Sequence, residues 1–300
     1  MHDVETVVPR HTSPAANLLQ ALRPLQWTKN AVLFAALVFA GRLTDSQAVV
    51  TAIWAFVAFC LASSAVYLIN DVRDIEADRA HPKKRHRPIA SGGLAPSTAV
   101  ILAVFLAVAA LALSWWIRPA FAGMTLAYLA LMLAYSFGLK HVVMLDVVII
   151  AVGFVIRAAA GAVAIDVVIS PWLLACTLLL ALFLGFGKRR HELAHLDAAA
   201  AHRPNLESYS LQLLDQLLVA TGTATVVAYL LYTIETRGKF GTDALMLTVP
   251  FVAFAVFRYL FLLQRKGEGG RPESLLFSDR PLLFAIIGWG LCCVAILYVL

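Results

Sequence analysis

The sequence predicts an all-α polytopic membrane protein, and three observations carry that prediction. Of the 300 residues, 61% are hydrophobic and 14% are charged, against about a quarter charged in soluble domains. The chain holds about nine apolar stretches, each near the ~20 residues that a helix needs to cross a bilayer. Lysine and arginine are segregated into alternate connections between those stretches, as expected when one side of the membrane retains the positive charge. We therefore expect a single transmembrane domain over residues 22–300. Residues 1–21, with Pro9, Arg10 and Pro14 and no compact apolar segment, read as a disordered cytoplasmic tail without a cleavable signal.

The elements follow in order. Arg23, Pro24, Trp27 and Lys29 have the composition of an interfacial entry segment. The first two spans are expected at about 30–43 and 47–70, the second capped by Asp45 and Ser46. Gly92 and Gly93 make a turn before a third span at about 95–116, where Pro96 suits the first helical turn. Spans four and five fall at about 119–138 and 142–164. Ser170 and Pro171 then supply the N-cap and first position of a sixth, about 170–187. The last three are expected at about 211–233, 243–263 and 281–300.

Charge placement orients them. The N-terminal tail and the connections after spans two, four, six and eight hold 18 of the 24 basic residues. The connections after spans one, three, five and seven hold four: Arg42, Arg118, Arg237 and Lys239. An N-terminus inside and a C-terminus outside follow. The net charge of +6 lies in these loops and forms no nucleic-acid surface. Cys60, Cys176, Cys292 and Cys293 all fall in apolar runs, with neither metal-ligand spacing nor loop positions suited to a disulfide.

The densest polar stretch is 67–94. Asp71, Asp74 and Asp78 stand at i, i+3 and i+7. On a continuing helix they would share one face within an arc of about 60°. Clustered carboxylates repel each other unless a cation joins them, and a hard divalent ion shares such oxygens with substrate phosphates. Lys83, Lys84, Arg85 and Arg87 follow at once as candidate phosphate ligands. The plainer alternative is a cytoplasmic loop in which acids and bases neutralise each other.

The run Asn70-Asp71-x-x-Asp74-x-x-x-Asp78 resembles the first aspartate-rich motif of the UbiA superfamily of intramembrane prenyltransferases. Its extension through His81, Pro82, Lys84, Arg85, Arg87, Pro88, Ile89 and Ala90 resembles the phosphoribosyltransferase branch of that superfamily. The similarity runs from about Leu22 to the end of the chain. It implies a UbiA-like helical bundle acting with Mg²⁺. The reaction implied is transfer of 5-phosphoribosyl from phosphoribosyl pyrophosphate to a polyprenyl, decaprenyl-type phosphate, releasing pyrophosphate. A homotrimer is conceivable within that branch.

Set against that chemistry, Asp71, Asp74 and Asp78 are the expected metal ligands. Asn70 orients a ligand or binds a phosphate oxygen, and Lys84, Arg85 and Arg87 clamp diphosphate. The branch carries a stretch like the one ending span four, so Lys140 is a candidate for a phosphate and Tyr135 for a sugar hydroxyl, with anchoring of both at the membrane interface as the alternative. Lys29 joins them from the entry segment. Asp146 and Arg157, eleven residues apart within span five, are ionisable groups where such groups are costly and face a polar cavity or a partner. A second polar island continues through Asp197 to Asn205–Tyr209, and its first stretch, Gly187 to Leu193, contains Lys188, Arg189, Arg190, His191 and Glu192. This first stretch resembles the Gly-Lys-Arg-x-x-Glu-Leu stretch of the phosphoribosyltransferase branch. The second Asp-x-x-x-Asp motif of prenyl-diphosphate enzymes is missing. A UbiA-type prenyltransferase moving a prenyl group from prenyl diphosphate to an aromatic acceptor is the alternative reading. His191 and His195 lack the order of a zinc-binding helix.

Overall fold

The computed structural model describes residues 13–82, 84–194, 206, 208–240, 243–265, 275 and 278–299, and among these every regular element is helical. Eight helices are long and apolar enough to cross a membrane. They are α3 (Ser46–Arg73), α5 (Pro96–Ile117), α6 (Pro119–Phe137), α7 (Leu145–Ala164), α8 (Pro171–Ala194), α9 (Leu211–Phe240, its membrane-length part Leu211–Thr236), α10 (Val249–Arg265, whose span Ala244–Gln264 includes the 3₁₀ turn before it) and the last helix, α11 (Arg280–Tyr298). Three shorter helices are α1 (Pro14–Leu22), α2 (Phe34–Phe39) and α4 (Ile75–Ala80).

Local signals in the sequence set several of these ends. Asp45 accepts from the backbone N–H groups of Gln47 and Ala48 at the start of α3. Prolines stand in the first turns of α5 and α6. Ser170 Oγ accepts from the N–H of Trp172 at the start of α8. Asp279 caps α11 and also takes the guanidinium of Arg258 from α10.

Two expectations are corrected. The tail is not disordered throughout: Ser13 caps a helix beginning at Pro14, and Asn17 donates to the carbonyl of Gly93. Ala21 is buried against the ends of α3 and α5, so a local cap and an apolar foothold order this part of the tail. The first expected span, 30–43, is not one α-helix. Pro24–Leu33 is 3₁₀-helical and only Phe34–Phe39 is α-helical. At about 2.0 and 1.5 Å per residue the two pieces rise about 29 Å, near the hydrocarbon thickness.

The broken segment runs from one end of the bundle to the other. Arg23 at its start pairs with Asp71 near the end of α3, and Arg42 beyond its end pairs with Asp45 at the start of α3. The end of the 3₁₀ piece packs closely on α7: a Cβ on Gly161 would stand 2.1 Å from the Leu33 carbonyl oxygen. Tyr298, the last residue of α11, donates toward the carbonyls of Leu37 and Val38 at the far end. Residues 23 and 298 therefore lie at opposite ends of the bundle, and of the nine expected spans eight are membrane-length helices among the described residues.

The core has two sides. Ala55, Ala58, Phe59 and Ala62 of α3 pack against Phe121, Tyr128 and Met132 of α6 and Ala160 of α7. Val147 of α7 joins the other side, with Phe183, Leu214, Leu218, Val256 and Leu262. Midway sits Arg157, 5% exposed. It donates to Asn30 Oδ1 at 2.8 Å, to the Gly153 carbonyl at 3.1 Å and to the Tyr128 hydroxyl at 2.7 Å. Asn30 in turn donates to Ser63 Oγ. This charge thus satisfies three neutral acceptors and fastens the 3₁₀ segment to α6 and α7.

Candidate active site

Polar side chains from both halves meet at the end of the bundle where α3, α6 and α8 terminate. The first group forms where α3 stops. Asp74 leaves helical geometry at φ −94° and ψ 12°, and α4 resumes at Ile75. The hydrogen bonds Asp74 N–H to Asn70 O and Asp78 N–H to Asp74 O carry the chain through the break. Asp71 and Asp78 remain on a common face: Arg87 Nη1 lies 3.0 Å from Asp71 Oδ1 and 2.6 Å from Asp78 Oδ2. Arg23 approaches the same Asp71 oxygen at 2.5 Å, and Lys84 stands 4.0 Å from Asp78. Asp74 has other partners, Lys140 at 2.6 Å and Asn70 at 3.2 Å.

The basic loop is built rather than loose. Ile89 and Ala90 are buried, Arg79 donates to the Ala90 carbonyl, and Gly92 turns the chain at φ 82°. That anchoring aims Arg87 inward. Arg85 is exposed and its Nε faces His86, so it does not join the acids in direct contact. Lys29 is half-buried on the 3₁₀ segment beside Asn30. Lys83, His195 and Asp197 lie outside the described residues.

The second group is centred on Arg189, 7% exposed near the end of α8. Its Nε lies 2.7 Å from Asp146 Oδ2 and its Nη1 lies 2.5 Å from Glu192 Oε2. Tyr209 donates to the other Asp146 oxygen at 2.9 Å. Burial pushes the Tyr209 phenol up to about 12, so the hydroxyl keeps its proton and remains a donor at neutral pH. Tyr135 lies close enough to Arg189 to interact electrostatically, which joins the end of α6 to this group. Lys188 is exposed on α8, whereas Arg190 points the other way, to Asp215 and the Leu263 carbonyl. Arg190 therefore braces α8 against α9 and α10.

Among the described residues no three His, Cys, Asp or Glu side chains are gathered as a ready metal cage. The expected tri-aspartate cluster is thus a pair, Asp71 and Asp78, with Asp74 held separately by Lys140. The pair still fits a hard ion: two carboxylates already converge on one cationic group, and Mg²⁺ uses one or two carboxylates with phosphates and water. The charge spacing alone does not reveal Arg23 and Tyr209. Arg23 was legible only as part of the Arg-Pro entry segment, and Tyr209 as the end of the second island.

Membrane-length helices that carry an aspartate-rich break and a basic loop to one end form a UbiA-type helical bundle. The chain belongs to the UbiA prenyltransferase family, whose profile matches residues 31–278. It is 40% identical over 287 residues to the decaprenyl-phosphate phosphoribosyltransferase of Mycolicibacterium smegmatis, covering 91% of this chain and 90% of that one. The enzyme of the same name from Corynebacterium glutamicum is 37% identical, with 95% and 88% covered. In fold, a UbiA homolog from Archaeoglobus fulgidus bound to DMAPP and Mg²⁺ matches with a TM-score of 0.73. That match covers 95% of this chain and all of the other at 17% identity.

Proposed function

We propose that this protein transfers a 5-phosphoribosyl group from phosphoribosyl pyrophosphate to a polyprenyl phosphate of decaprenyl type. The observation that carries the reading is the similarity, over about nine-tenths of both chains, to an enzyme named for that transfer. The charge pattern agrees with it. The first island presents carboxylates beside Arg23, Lys84, Arg87 and Lys140, and the second island is centred on Arg189.

In the reaction the lipid phosphate oxygen attacks the anomeric carbon, and the bond to diphosphate breaks with its electron pair. Asp71 and Asp78 would hold a Mg²⁺ ion, with Asp74 reaching it through water, and the ion when bound would offset charge on the departing diphosphate. Arg87 and Lys84 take the remaining diphosphate charge. Lys188, Arg189 and Lys140 serve the sugar and lipid phosphates, and Tyr135 orients a sugar hydroxyl. The lipid phosphate is already anionic at neutral pH, so no general base is required. The isoprenoid chain lies against apolar helix faces open to the bilayer. By the distribution of lysine and arginine, the site end faces the cytoplasm.

The test is direct. Purified protein with Mg²⁺, labelled phosphoribosyl pyrophosphate and polyprenyl phosphate should move label into the lipid fraction and release pyrophosphate. A prenylated aromatic product from prenyl diphosphate, with phosphoribosyl pyrophosphate inert, would reverse the assignment in favour of a prenyltransferase.

A further inference from the structure

Met144 stands at φ 69° and ψ −43° in the connection between α6 and α7. This γ-turn-like backbone is rare and strained for a residue with a side chain. Such a conformation persists only where its surroundings over-determine it. Here the constraint comes from Tyr209, 65 residues away in sequence. The Met144 N–H donates to the Tyr209 hydroxyl at 2.7 Å, and that hydroxyl donates onward to Asp146 Oδ1 at 2.9 Å. The second oxygen of Asp146 is thereby left to Arg189, at 2.7 Å. Tyr209 is 5% exposed, and its ring shares a cluster with Val143, Met144, Val147 and Leu206.

Both ends of this short connection reach the site. Upstream, the 3₁₀ turn Leu139–His141 carries Lys140 to Asp74. Downstream, the first turn of α7 carries Asp146 to Arg189. One hydroxyl thus touches the backbone of the Lys140 connection and the side chain that orients Arg189. We infer that Tyr209 is a positioning residue: its hydroxyl locks the 138–146 connection so that Lys140 and Arg189 present their charges together. The catalytic consequence rests on the phosphoribosyl-transfer reading; the structural lock does not.

The test compares the full-length wild type with Tyr209→Phe, Lys140→Ala and the double variant in lipid nanodiscs. Phenylalanine keeps the ring and removes only the hydroxyl, leaving the Met144 N–H and one Asp146 oxygen without that partner, so Tyr209→Phe should fold but melt a few degrees lower. Its Lys140 should be acylated several-fold faster by an amine-reactive reagent, read by mass spectrometry. KM for phosphoribosyl pyrophosphate should rise about 10-fold, in the range for one charge-assisted hydrogen bond. Added to Lys140→Ala, the same change should cost less than it does alone, because coupled residues do not add, and the remainder reports its hold on Arg189 through Asp146. Wild-type acylation of Lys140 in Tyr209→Phe overturns the inference, as does a melting temperature unchanged from the wild type, which would show that the hydroxyl holds nothing in place. Should the wild type transfer no phosphoribosyl group, the functional reading fails, and the acylation result still decides the lock.

Discussion

Lys140 Nζ lies 2.6 and 2.8 Å from the two carboxylate oxygens of Asp74, its partner from 66 residues earlier in the chain. The contact joins the turn after α6 to the break after α3. Asp74→Asn keeps the size of the side chain and removes its charge, taking from Lys140 the carboxylate it grips and from the site one anionic oxygen donor. Phosphoribosyl transfer should fall at least ~100-fold, the scale of losing a main electrostatic stabiliser. Steady-state rates at limiting Mg²⁺ check this, and near-normal turnover would count against a role for Asp74.

Arg157 gives a stability prediction. No carboxylate among the described residues pairs with it. Its value lies in the fork of donors that reaches Asn30, Gly153 and Tyr128. Arg157→Ala leaves buried acceptors unsatisfied at about 1–3 kcal/mol each, in a setting where water cannot replace the donor. The melting temperature in detergent should drop by several degrees. Arg157→Lys should not restore it, since a single ammonium cannot reproduce the planar fork. A lysine variant that melts with the wild type would contradict the account.

Gly161 should tolerate no side chain. The nearest atom to an added Cβ is backbone, the Leu33 carbonyl oxygen at 2.1 Å, so no rotamer change relieves the clash. Gly161→Ala must push the 3₁₀ segment off α7 and disturb Asn30 and Arg23 with it. Reduced folded yield and a lower melting temperature are expected. Gly123→Ala, where an added Cβ meets nothing within 4 Å, is the matched control and should behave as wild type.

The two polar islands could be placed together from sequence because their signals are local. Apolar length gives the spans, lysine and arginine parity gives the side, and the Asp71–Asp78 spacing gives the face. What escaped depends on contacts between distant segments. The 3₁₀ segment Pro24–Leu33 ends in close contact with the distant Gly161 of α7, and no propensity within the segment announces it. Helical spacing placed all three aspartates alike, yet the partners differ: Asp71 and Asp78 meet Arg87, and Asp74 meets Lys140. Tyr209 had no motif to mark it, since its role is set by a backbone N–H two residues before Asp146. The tail was misjudged over residues 14–21 because its polar composition hid the Ser13 cap and the buried Ala21.

Topology can be checked by labelling. In a variant lacking Cys60, Cys176, Cys292 and Cys293, a single cysteine at Ala80 lies at the site end, and one at Val168 lies at the opposite end. Ala80 is exposed beside the three aspartates, and Val168 is 85% exposed two residues past the Arg118–Asp166 ion pair. A membrane-impermeant maleimide applied from outside intact cells should label Val168→Cys and spare Ala80→Cys. The reverse pattern would invert the proposed orientation, and equal labelling would remove the opposition of the two ends.

Lys188 and Arg189 are neighbours in sequence with different environments, and that difference separates two kinds of loss. Lys188 is exposed on α8, so Lys188→Ala removes charge without opening the core. If it serves a substrate phosphate, KM for phosphoribosyl pyrophosphate or lipid phosphate should rise roughly 10- to 150-fold, from about 1.5–3 kcal/mol for one charge-assisted hydrogen bond. The melting temperature should not move. Arg189 is held between Asp146 and Glu192 and is 7% exposed. Arg189→Ala strips the cation from two carboxylates, one of them buried. Removing one partner of a buried pair is strongly destabilising because the remaining charge is left uncompensated. Both the melting temperature and transfer should therefore fall. Arg189→Lys should recover stability in part, through one of the two carboxylates, and transfer less, because a lysine cannot hold Asp146 and Glu192 while facing a phosphate. Thermal melts and substrate titrations on the three variants decide the point. A loss of stability in Lys188→Ala, or an Arg189→Lys protein with wild-type kinetics, would show that the second island is not arranged as argued.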